Sequence, residues 1–369
     1  MSENLTIILI IITGIYGIIQ FMVLIGFVRQ KNRPYPSPTT PPLKISVIIP
    51  VRNEETYIEA CVQSLLHQNY KHEDYEIIIV NDHSTDQTIP LLTAMTSPLI
   101  RALHLKDKSG KKEALRYGIK KAQHDIIVTT DADCQAPVDW LKTIAATLNE
   151  DADMLLGPIS FKSEVGFLNA FQQLDMMAMQ AAEFGGLHFY QPILNNAANL
   201  SFKKDKYLQV KGYDNYKTPS GDDVFLLEKF NANQFLITGV LKNDFVVETA
   251  PTHKTKELLN QRVRWASKSK FYQNKILIFY ALTIVFQNLI QLFIYYHVLF
   301  IEKFRMIYII LLLTKWLIDF ILLFLVATFF KRKSALLYFI PVQLIYPFYI
   351  MGVSIASTFM KYEWKGRKY

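Results

Sequence analysis

Apolar residues are concentrated at the two ends of this chain of 369 residues. Residues 5–28 form a run of about 24 residues without a charged side chain. A helix of roughly 20 apolar residues is long enough to cross the hydrocarbon core of a bilayer, which is about 30 Å thick. Three further apolar stretches of similar length follow residue 275. We therefore expect a membrane protein with a polar domain between its membrane segments.

A cleaved secretion signal is not expected at the N-terminus. No positively charged start precedes the first apolar run, the run is too long for a signal core, and no clear small-residue cleavage site follows it. Hydrophobic residues make up 51% of the chain and charged residues 20%, which excludes an intrinsically disordered protein. Cys61 and Cys134 lie in the polar middle, and we expect both to be reduced and to face the cytosol.

Lysine and arginine outnumber the acidic residues by 40 to 32, which gives a formal net charge of +8. These basic residues cluster beside the apolar segments, where such residues set topology and attract anionic lipid. We therefore expect a membrane as a partner and no nucleic acid.

Changes in composition divide the chain into segments. Arg29, Lys31 and Arg33 mark the cytoplasmic end of the first span, and the prolines that follow make a stiff linker. The predicted segments are a transmembrane helix (1–28), a Pro-rich basic linker (29–43), a cytosolic domain (44–250), an interfacial segment (251–275), two transmembrane segments (276–300 and 304–330), a transmembrane or re-entrant segment (335–360) and a basic tail (361–369).

The last apolar segment presents a conflict of topology. Residues 331–333 are basic and should be cytoplasmic, so a full span after them would place the C-terminus outside. The tail itself is basic, which indicates the inside. Pro341 and Pro347 can break the segment into a re-entrant hairpin, and the sequence leaves both alternatives open.

The cytosolic domain alternates short β-branched runs with helical stretches. Strands are predicted near residues 45–50, 75–80, 99–105 and 125–130, with helices at 57–66 and 111–123 between them. This alternation predicts an α/β domain with a mostly parallel sheet, whose ligand lies at the carboxyl ends of the strands. A methionine-rich stretch at 165–187 is either a core helix or an amphipathic helix on the membrane.

Asp131 and Asp133 follow directly on one predicted strand. Residues i and i+2 of an extended segment point to the same side, so the two carboxylates suit a hard divalent cation such as Mg²⁺ or Mn²⁺. The Asp-x-Asp pattern alone is weak, because Asp151 and Asp153 show the same spacing in what reads as a solvated turn.

Two further polar clusters lie in loops of the same domain. The stretch around Asp82 follows a strand and either holds a polar ring or ribose, or caps the next helix. Lys111 opens a helix next to Gly110, which suits either an anionic group or a plain solvated turn.

Two clusters come later in the chain. Asp222 and Asp223 are adjacent acids that can supply a general base and a partner that positions it. Gln261, Arg264 and Trp265 combine an amide, a guanidinium and an indole just before the second membrane region. That trio suits a diphosphate and a sugar ring, although such clusters also anchor proteins at membrane interfaces.

In this order the motifs resemble those of the membrane-bound family-two glycosyltransferases, which include cellulose, chitin and hyaluronan synthases and ceramide glucosyltransferases. The resemblance covers residues 45–265. Its parts are Ile-Ile-Pro-Val-Arg-Asn-Glu54, Asn-Asp82-His-Ser-Thr-Asp86, Gly110-Lys111, Asp131-Ala-Asp133, Gly221-Asp-Asp223 and Gln261-x-x-Arg264-Trp265.

The resemblance implies a GT-A fold that uses a nucleoside-diphosphate sugar, most often a UDP-sugar, with inversion at the anomeric carbon. On the donor side it implies that Glu54 and Asp82 contact uracil and ribose, with Lys111 near the nucleotide. Asp131 would contact the donor, and Asp133 would bind Mg²⁺ or Mn²⁺ on the diphosphate, with Asp131 beside it. His83 departs from the acid or glycine common in the nucleotide motif.

For the reaction, the resemblance implies that Asp223, the second acid of the pair, takes the proton from the acceptor hydroxyl. Gln261, Arg264 and Trp265 would close over the diphosphate and the acceptor site. We expect a multi-pass enzyme of the inner or plasma membrane with a cytoplasmic catalytic domain.

The acceptor is expected to be a membrane lipid or a lipid-linked glycan. Few spans and the absence of extra domains favour this over a processive polysaccharide synthase, although Gln287, Asn288 and Gln291 are polar residues that suit an export path. An inactive sugar-nucleotide-binding scaffold is the second alternative. Lys315 and Asp319 lie four apart in one apolar segment and are expected to pair, either to orient the bundle or to line an acceptor path.

Overall fold

The computed structural model describes residues 3–35, 42–148, 152–214, 221–301, 305–360, 363–365 and 367–368. Its strands form a seven-stranded sheet, a three-stranded sheet and a two-stranded hairpin. The strands are β1 (Ile45–Val51), β2 (Tyr75–Asn81), β3 (Ile100–His104), β4 (Ile126–Thr129), β5 (Cys134–Gln135), β6 (Met154–Leu156), β7 (Ile159–Phe161), β8 (Leu200–Lys203), β9 (Ile237–Gly239), β10 (Val247–Thr249), β11 (Glu363–Trp364) and β12 (Arg367–Lys368).

Helices cover both faces of the large sheet, and four of them are long and apolar. They are α1 (Glu3–Lys31), α2 (Ile58–Leu66), α3 (Thr88–Ala94), α4 (Lys111–Lys121), α5 (Trp140–Leu148), α6 (Phe167–His188), α7 (Lys204–Gln209), α8 (Asp222–Ala232), α9 (Thr255–Ser267), α10 (Lys275–Phe300), α11 (Arg305–Phe330) and α12 (Phe339–Phe359).

The large sheet has the strand order β3-β2-β1-β4-β8-β6-β9. Strands β3, β2, β1 and β4 are parallel, and only β8 runs against its neighbours β4 and β6. The β-branched residues of β1 and β2 are buried, as expected for strands covered on both faces. The predicted α/β fold with a mostly parallel sheet is therefore confirmed, and the predicted strands agree with β1 to β4.

Among the described residues, four segments are long and apolar enough to cross a membrane: Asn4–Lys31, Lys275–Phe300, Arg305–Phe330 and Lys333–Phe359. The first helix continues to Lys31, into the predicted linker, of which residues 36–41 lie outside the described part.

The membrane helices are joined by a polar network. The Lys315 ammonium lies 2.8 Å from a carboxylate oxygen of Asp319, so the two residues form the expected pair. Gln343 of α12 bridges them, accepting from Lys315 at 2.7 Å and donating to Asp319 at 2.8 Å. Tyr16 of α1 donates to the other oxygen of Asp319 at 2.5 Å. Because these bonds join α1, α11 and α12, they orient the bundle.

Helix α6 contains the methionine-rich stretch and packs against α1. A Cβ atom on Gly26 would lie 2.3 Å from the carbonyl oxygen of Gly185, so both glycines are required by the close approach of the two backbones. Most α6 residues are buried between α1 and the α/β domain. Of the two interpretations of this stretch, the structure supports the core helix.

Both flanks of the last apolar segment contact the α/β domain. At its start, Arg332 forms an ion pair with Glu248 of β10. At its end, the Lys270 ammonium donates to the carbonyl oxygen of Thr358 at 2.9 Å, and Lys365 pairs with Glu54. A helix that crosses a bilayer once separates its flanks by the membrane thickness. Helix α12 nevertheless runs unbroken from Phe339 to Phe359 with Pro347 inside it, so the two prolines do not divide the segment into a hairpin. Whether the segment is transmembrane or re-entrant stays a prediction.

Candidate active site

The predicted acidic residues meet at one edge of the large sheet. Parallel pairing places Val51 of β1 beside Asn81 of β2, and the amide of Asp82 donates to the carbonyl oxygen of Val51 at 2.8 Å. Strand β4 also pairs with β1 in parallel and ends at Thr129, just before Asp131. The loops that carry Glu54, Asp82 and Asp131 therefore leave neighbouring strands at their carboxyl ends, as predicted.

Glu54 is held by a tight turn after β1. Its amide donates to the Thr88 hydroxyl at 2.8 Å, and the preceding Asn53 has a φ of 51°, in the left-handed region. The Glu54 carboxylate lies 3.0 Å from the Lys365 ammonium. Burial raises the pKa of Glu54 to about 7, an effect that Lys365 opposes and the charge of Asp133 reinforces.

Asp82 is almost fully buried, with 2% of its side chain exposed. One carboxylate oxygen accepts from the Gly110 amide at 2.9 Å, and the guanidinium of Arg367 contacts both oxygens at 2.7 and 3.1 Å. The His83 Nδ1 atom lies 3.1 Å from the second oxygen. Glycine is required at 110 because its φ is +111°.

Lys111 and the two acids after β4 form a mixed-charge cluster. The Lys111 ammonium lies 2.7 Å from a carboxylate oxygen of Asp131. Burial first, and then the neighbouring charge of Asp131, raise the pKa of Asp133. A cation placed next to Asp133 would offset both effects.

The donor set at Asp131 and Asp133 fits a hard divalent cation that takes its remaining ligands from a phosphate and water. Among the described residues, no group of three or more His, Cys, Asp or Glu side chains is arranged to hold a metal ion. Asp131 and Asp133 supply two carboxylates, and a metal ion held by them stays a prediction.

Asp223 lies in the first turn of α8 and is held by neighbours. One carboxylate oxygen accepts from the Val224 amide at 2.8 Å and lies 3.0 Å from the Lys268 ammonium. The Asp222 side chain lies outside the described part of the structure. Gly221, with a φ of +85°, begins this turn. The adjacent Phe225 ring lies 5.5 Å from the Lys112 ammonium, which brings the start of α8 beside the start of α4.

Gln261, Arg264 and Trp265 lie on α9, with all three side chains half-buried. Trp265 packs against the hydrophobic core on the side of the sheet that contains Cys134 and Ala132, next to the acidic edge. Gln261, Arg264 and Trp265 are referred to below as the box.

Arg262 was not predicted from the sequence. It connects the box to the apolar helix α12 through Asp175. Its guanidinium donates to Gln261 at 2.7 Å and lies 4.1 Å from the Trp265 ring. Its Nε atom donates to Asp175 of α6 at 2.7 Å, and both side chains are buried. Tyr346 of α12 donates to the other oxygen of Asp175 at 2.9 Å. Asp175 could have been noticed in the sequence, because it is a carboxylate within an otherwise apolar stretch.

The comparisons with known proteins agree with this geometry. Residues 46–206 match the family described as Glycosyl transferase family 2. Glycosyltransferase GlyG of Streptococcus pneumoniae is 34% identical over 116 residues, which are 31% of this chain and 38% of that protein. The bactoprenol glucosyl transferase of Shigella phage SfV is 32% identical over 129 residues, which are 34% of this chain and 42% of that protein. The matches thus span about two fifths of the length of these curated relatives.

A solved structure shares the fold across nearly the whole chain. It is the mannosyltransferase PcManGT from Pyrobaculum calidifontis in complex with GDP-Man and Mn²⁺. The TM-score is 0.53 at 17% sequence identity, and the match covers 95% of this chain and 99% of that one. At this identity the likeness establishes the fold.

The Arg262–Asp175 pair yields a prediction about stability. Asp175→Asn leaves the Arg262 guanidinium buried without a counter-charge and should lower the free energy of unfolding by about 3–5 kcal/mol. Thermal unfolding of the full chain in detergent measures this as a large drop in Tm. Glu257→Gln on the same helix is the matched control, because the exposed Glu257–Lys254 pair at 3.4 Å should contribute about 0–1 kcal/mol. Equal Tm values for both variants would contradict a stabilising role of the buried Arg262–Asp175 pair.

Proposed function

We propose that the chain is a family-two glycosyltransferase that transfers a sugar from a UDP-sugar to a membrane lipid or lipid-linked acceptor with inversion. The observation that carries this proposal is the convergence of Glu54, Asp82, Asp131 and Asp133 at one edge of the sheet. That edge is where doubly wound α/β sheets bind their ligands.

On the donor side, we assign Glu54 and Asp82 to the nucleoside and Lys111 and Asp131 to the donor nearer its diphosphate. Asp133, with Asp131 beside it, would hold Mg²⁺ or Mn²⁺. The metal would neutralise charge on the departing diphosphate. PcManGT, which shares the fold, was solved with a nucleotide sugar and Mn²⁺.

On the acceptor side, we assign Asp223 as the general base. Its carboxylate removes the proton of the incoming hydroxyl as that oxygen attacks the anomeric carbon and the bond to the diphosphate breaks. The ammonium of Lys268 lies 3.0 Å from this carboxylate and forms an ion pair with it. Gln261, Arg264 and Trp265 would close the site, with Arg264 adding positive charge near the leaving group.

A membrane acceptor is supported by the position of α9. The box on this helix is joined through Arg262 and Asp175 to Tyr346 and Tyr349 of the apolar helix α12. An acceptor hydroxyl at the box would therefore lie next to the membrane region. One of the relatives is named a bactoprenol glucosyl transferase, which agrees with a lipid acceptor.

A polysaccharide synthase is the second candidate function, because the membrane bundle contains buried amides. The side-chain oxygens of Gln287, Asn288 and Gln291 lack a hydrogen-bond partner in the described part of the chain. These side chains are only 1–2% exposed, however, and Gln291 also bonds across to the Gln343 backbone at 3.1 Å. A closed, cross-linked bundle favours lipid transfer over export of a polymer.

The assignment of Asp223 predicts a selective loss of turnover. Asp223→Asn should lower kcat by at least about 10² while UDP binding remains, because the amide cannot accept the proton. Transfer from a labelled UDP-sugar and titration with UDP measure the two quantities. Asp205→Asn, which changes an exposed carboxylate on α7, is the control and should retain wild-type turnover. Near-normal kcat in the Asp223 variant would show that another residue is the general base.

The assignment of Asp131 and Asp133 predicts a dependence on divalent cations. Chelation should abolish transfer, and added Mn²⁺ or Mg²⁺ should restore it, because Lys111 alone does not offset the combined negative charge of two carboxylates and a diphosphate. Asp133→Asn should remain inactive after the metal is returned. Full activity of the wild-type enzyme in excess chelator would reject the proposed requirement for a divalent cation.

A further inference from the structure

The C-terminal tail folds back onto the acidic edge of the sheet. Strands β11 and β12 form a short antiparallel hairpin in which Trp364 is paired with Arg367. The turn residue Lys365 is anchored at three points. Its carbonyl oxygen accepts from the Arg52 guanidinium at 3.2 Å, and its ammonium lies 3.0 Å from both the Asn53 carbonyl oxygen and the Glu54 carboxylate.

Arg367 makes the second contact of the tail, with the carboxylate of Asp82, which we assign to nucleoside binding. It forms a bidentate pair with Asp82, with distances of 2.7 and 3.1 Å. Only 22% of the Arg367 side chain and 2% of the Asp82 side chain are exposed, so solvent screens this pair weakly. Bidentate Arg–carboxylate pairs are among the strongest hydrogen-bonded contacts in proteins.

Most of the acceptor capacity of Asp82 is used in this arrangement. A carboxylate offers about four lone-pair sites. The Gly110 amide and Arg367 occupy one oxygen, and Arg367 and the His83 ring nitrogen contact the other. Arg367 therefore occupies one site on each oxygen of Asp82, and an N–H or O–H group of a nucleoside has to compete with it for them.

We propose that the tail hairpin is a built-in competitor of the nucleotide donor, with Lys365 and Arg367 on the two carboxylates that the nucleoside would use. The inference rests on the proposed function, because it assumes that Glu54 and Asp82 recognise the donor. The donor and the tail exclude each other, and the donor site opens when the hairpin leaves.

The geometry of the chain makes this competition effective. The hairpin begins four residues after Phe359, the last residue of α12, and Thr358 is bonded to Lys270. A tether this short keeps the basic residues at a high local concentration, in the mM range for short linkers. The measured affinity for nucleotide is then the intrinsic affinity reduced by the fraction of molecules with the tail displaced.

The test is a titration of the purified full chain in detergent with UDP, and with GDP in parallel. The double variant Lys365→Ala/Arg367→Ala should bind UDP about tenfold more tightly than the wild type, because the closed state loses its charged contacts. Arg367→Glu should bind at least as tightly, since the new carboxylate repels Asp82. The matched control, Lys71→Ala/Lys256→Ala, removes two exposed lysines elsewhere and should change the dissociation constant by less than about twofold.

The outcomes separate this inference from the proposed function. Unchanged UDP binding in the tail variants, with binding intact in the wild type, would reject the proposed competition. Weaker binding in those variants would also reject it, and would make the tail a part of the donor site. No binding of UDP or GDP by any form would reject the proposed function and the tail inference with it. Arg367→Lys keeps the charge without the bidentate fork and should give an intermediate affinity, which guards against a double variant that misfolds.

Discussion

The accumulation of negative charge at one edge of the sheet is the constraint on which the rest of the site depends. Parallel pairing of β1 with β2 and β4 brings Glu54, Asp82, Asp131 and Asp133 together. Like charges this close destabilise one another unless cations or protons compensate them. In the structure the compensation comes from Lys111, Lys365 and Arg367, and from the raised pKa of Glu54 and Asp133.

This arrangement explains how a resting site can be both acidic and stable. A nucleotide donor with its metal would bring its own cationic charge to Asp133 and its own hydrogen-bond donors to Asp82. The cations that the chain supplies at Asp82 and Glu54 would then become redundant. The same electrostatic requirement therefore connects the proposed donor site with the tail that occupies it.

The membrane region is joined to the site by polar contacts as well as by packing. Asp175 lies between Arg262 of the box helix and Tyr346 of α12, and Gly26 allows α1 to approach α6 closely. These buried contacts hold the box at a defined distance from the apolar helices, which suits a reaction whose acceptor lies in the membrane.

Much of the sheet and its acidic edge was predictable from the sequence, because short β-branched runs and the polar residues after them are local patterns. The hydrophobic segments were predictable for the same reason. The contact of Arg262 with Asp175 joins residues 87 apart, and that of Arg367 with Asp82 joins residues 285 apart. No periodicity specifies such pairs, so the tail was predicted only as a basic segment near the membrane.

Sugar transfer to a lipid is tested by the size and solubility of the product. Purified enzyme in lipid is incubated with labelled UDP-glucose, UDP-N-acetylglucosamine and other nucleotide sugars, and the labelled product is extracted and sized. The account predicts a glycolipid that partitions into organic solvent and carries one or a few sugars. A water-soluble or insoluble chain of many sugars, made without added lipid acceptor, would contradict it.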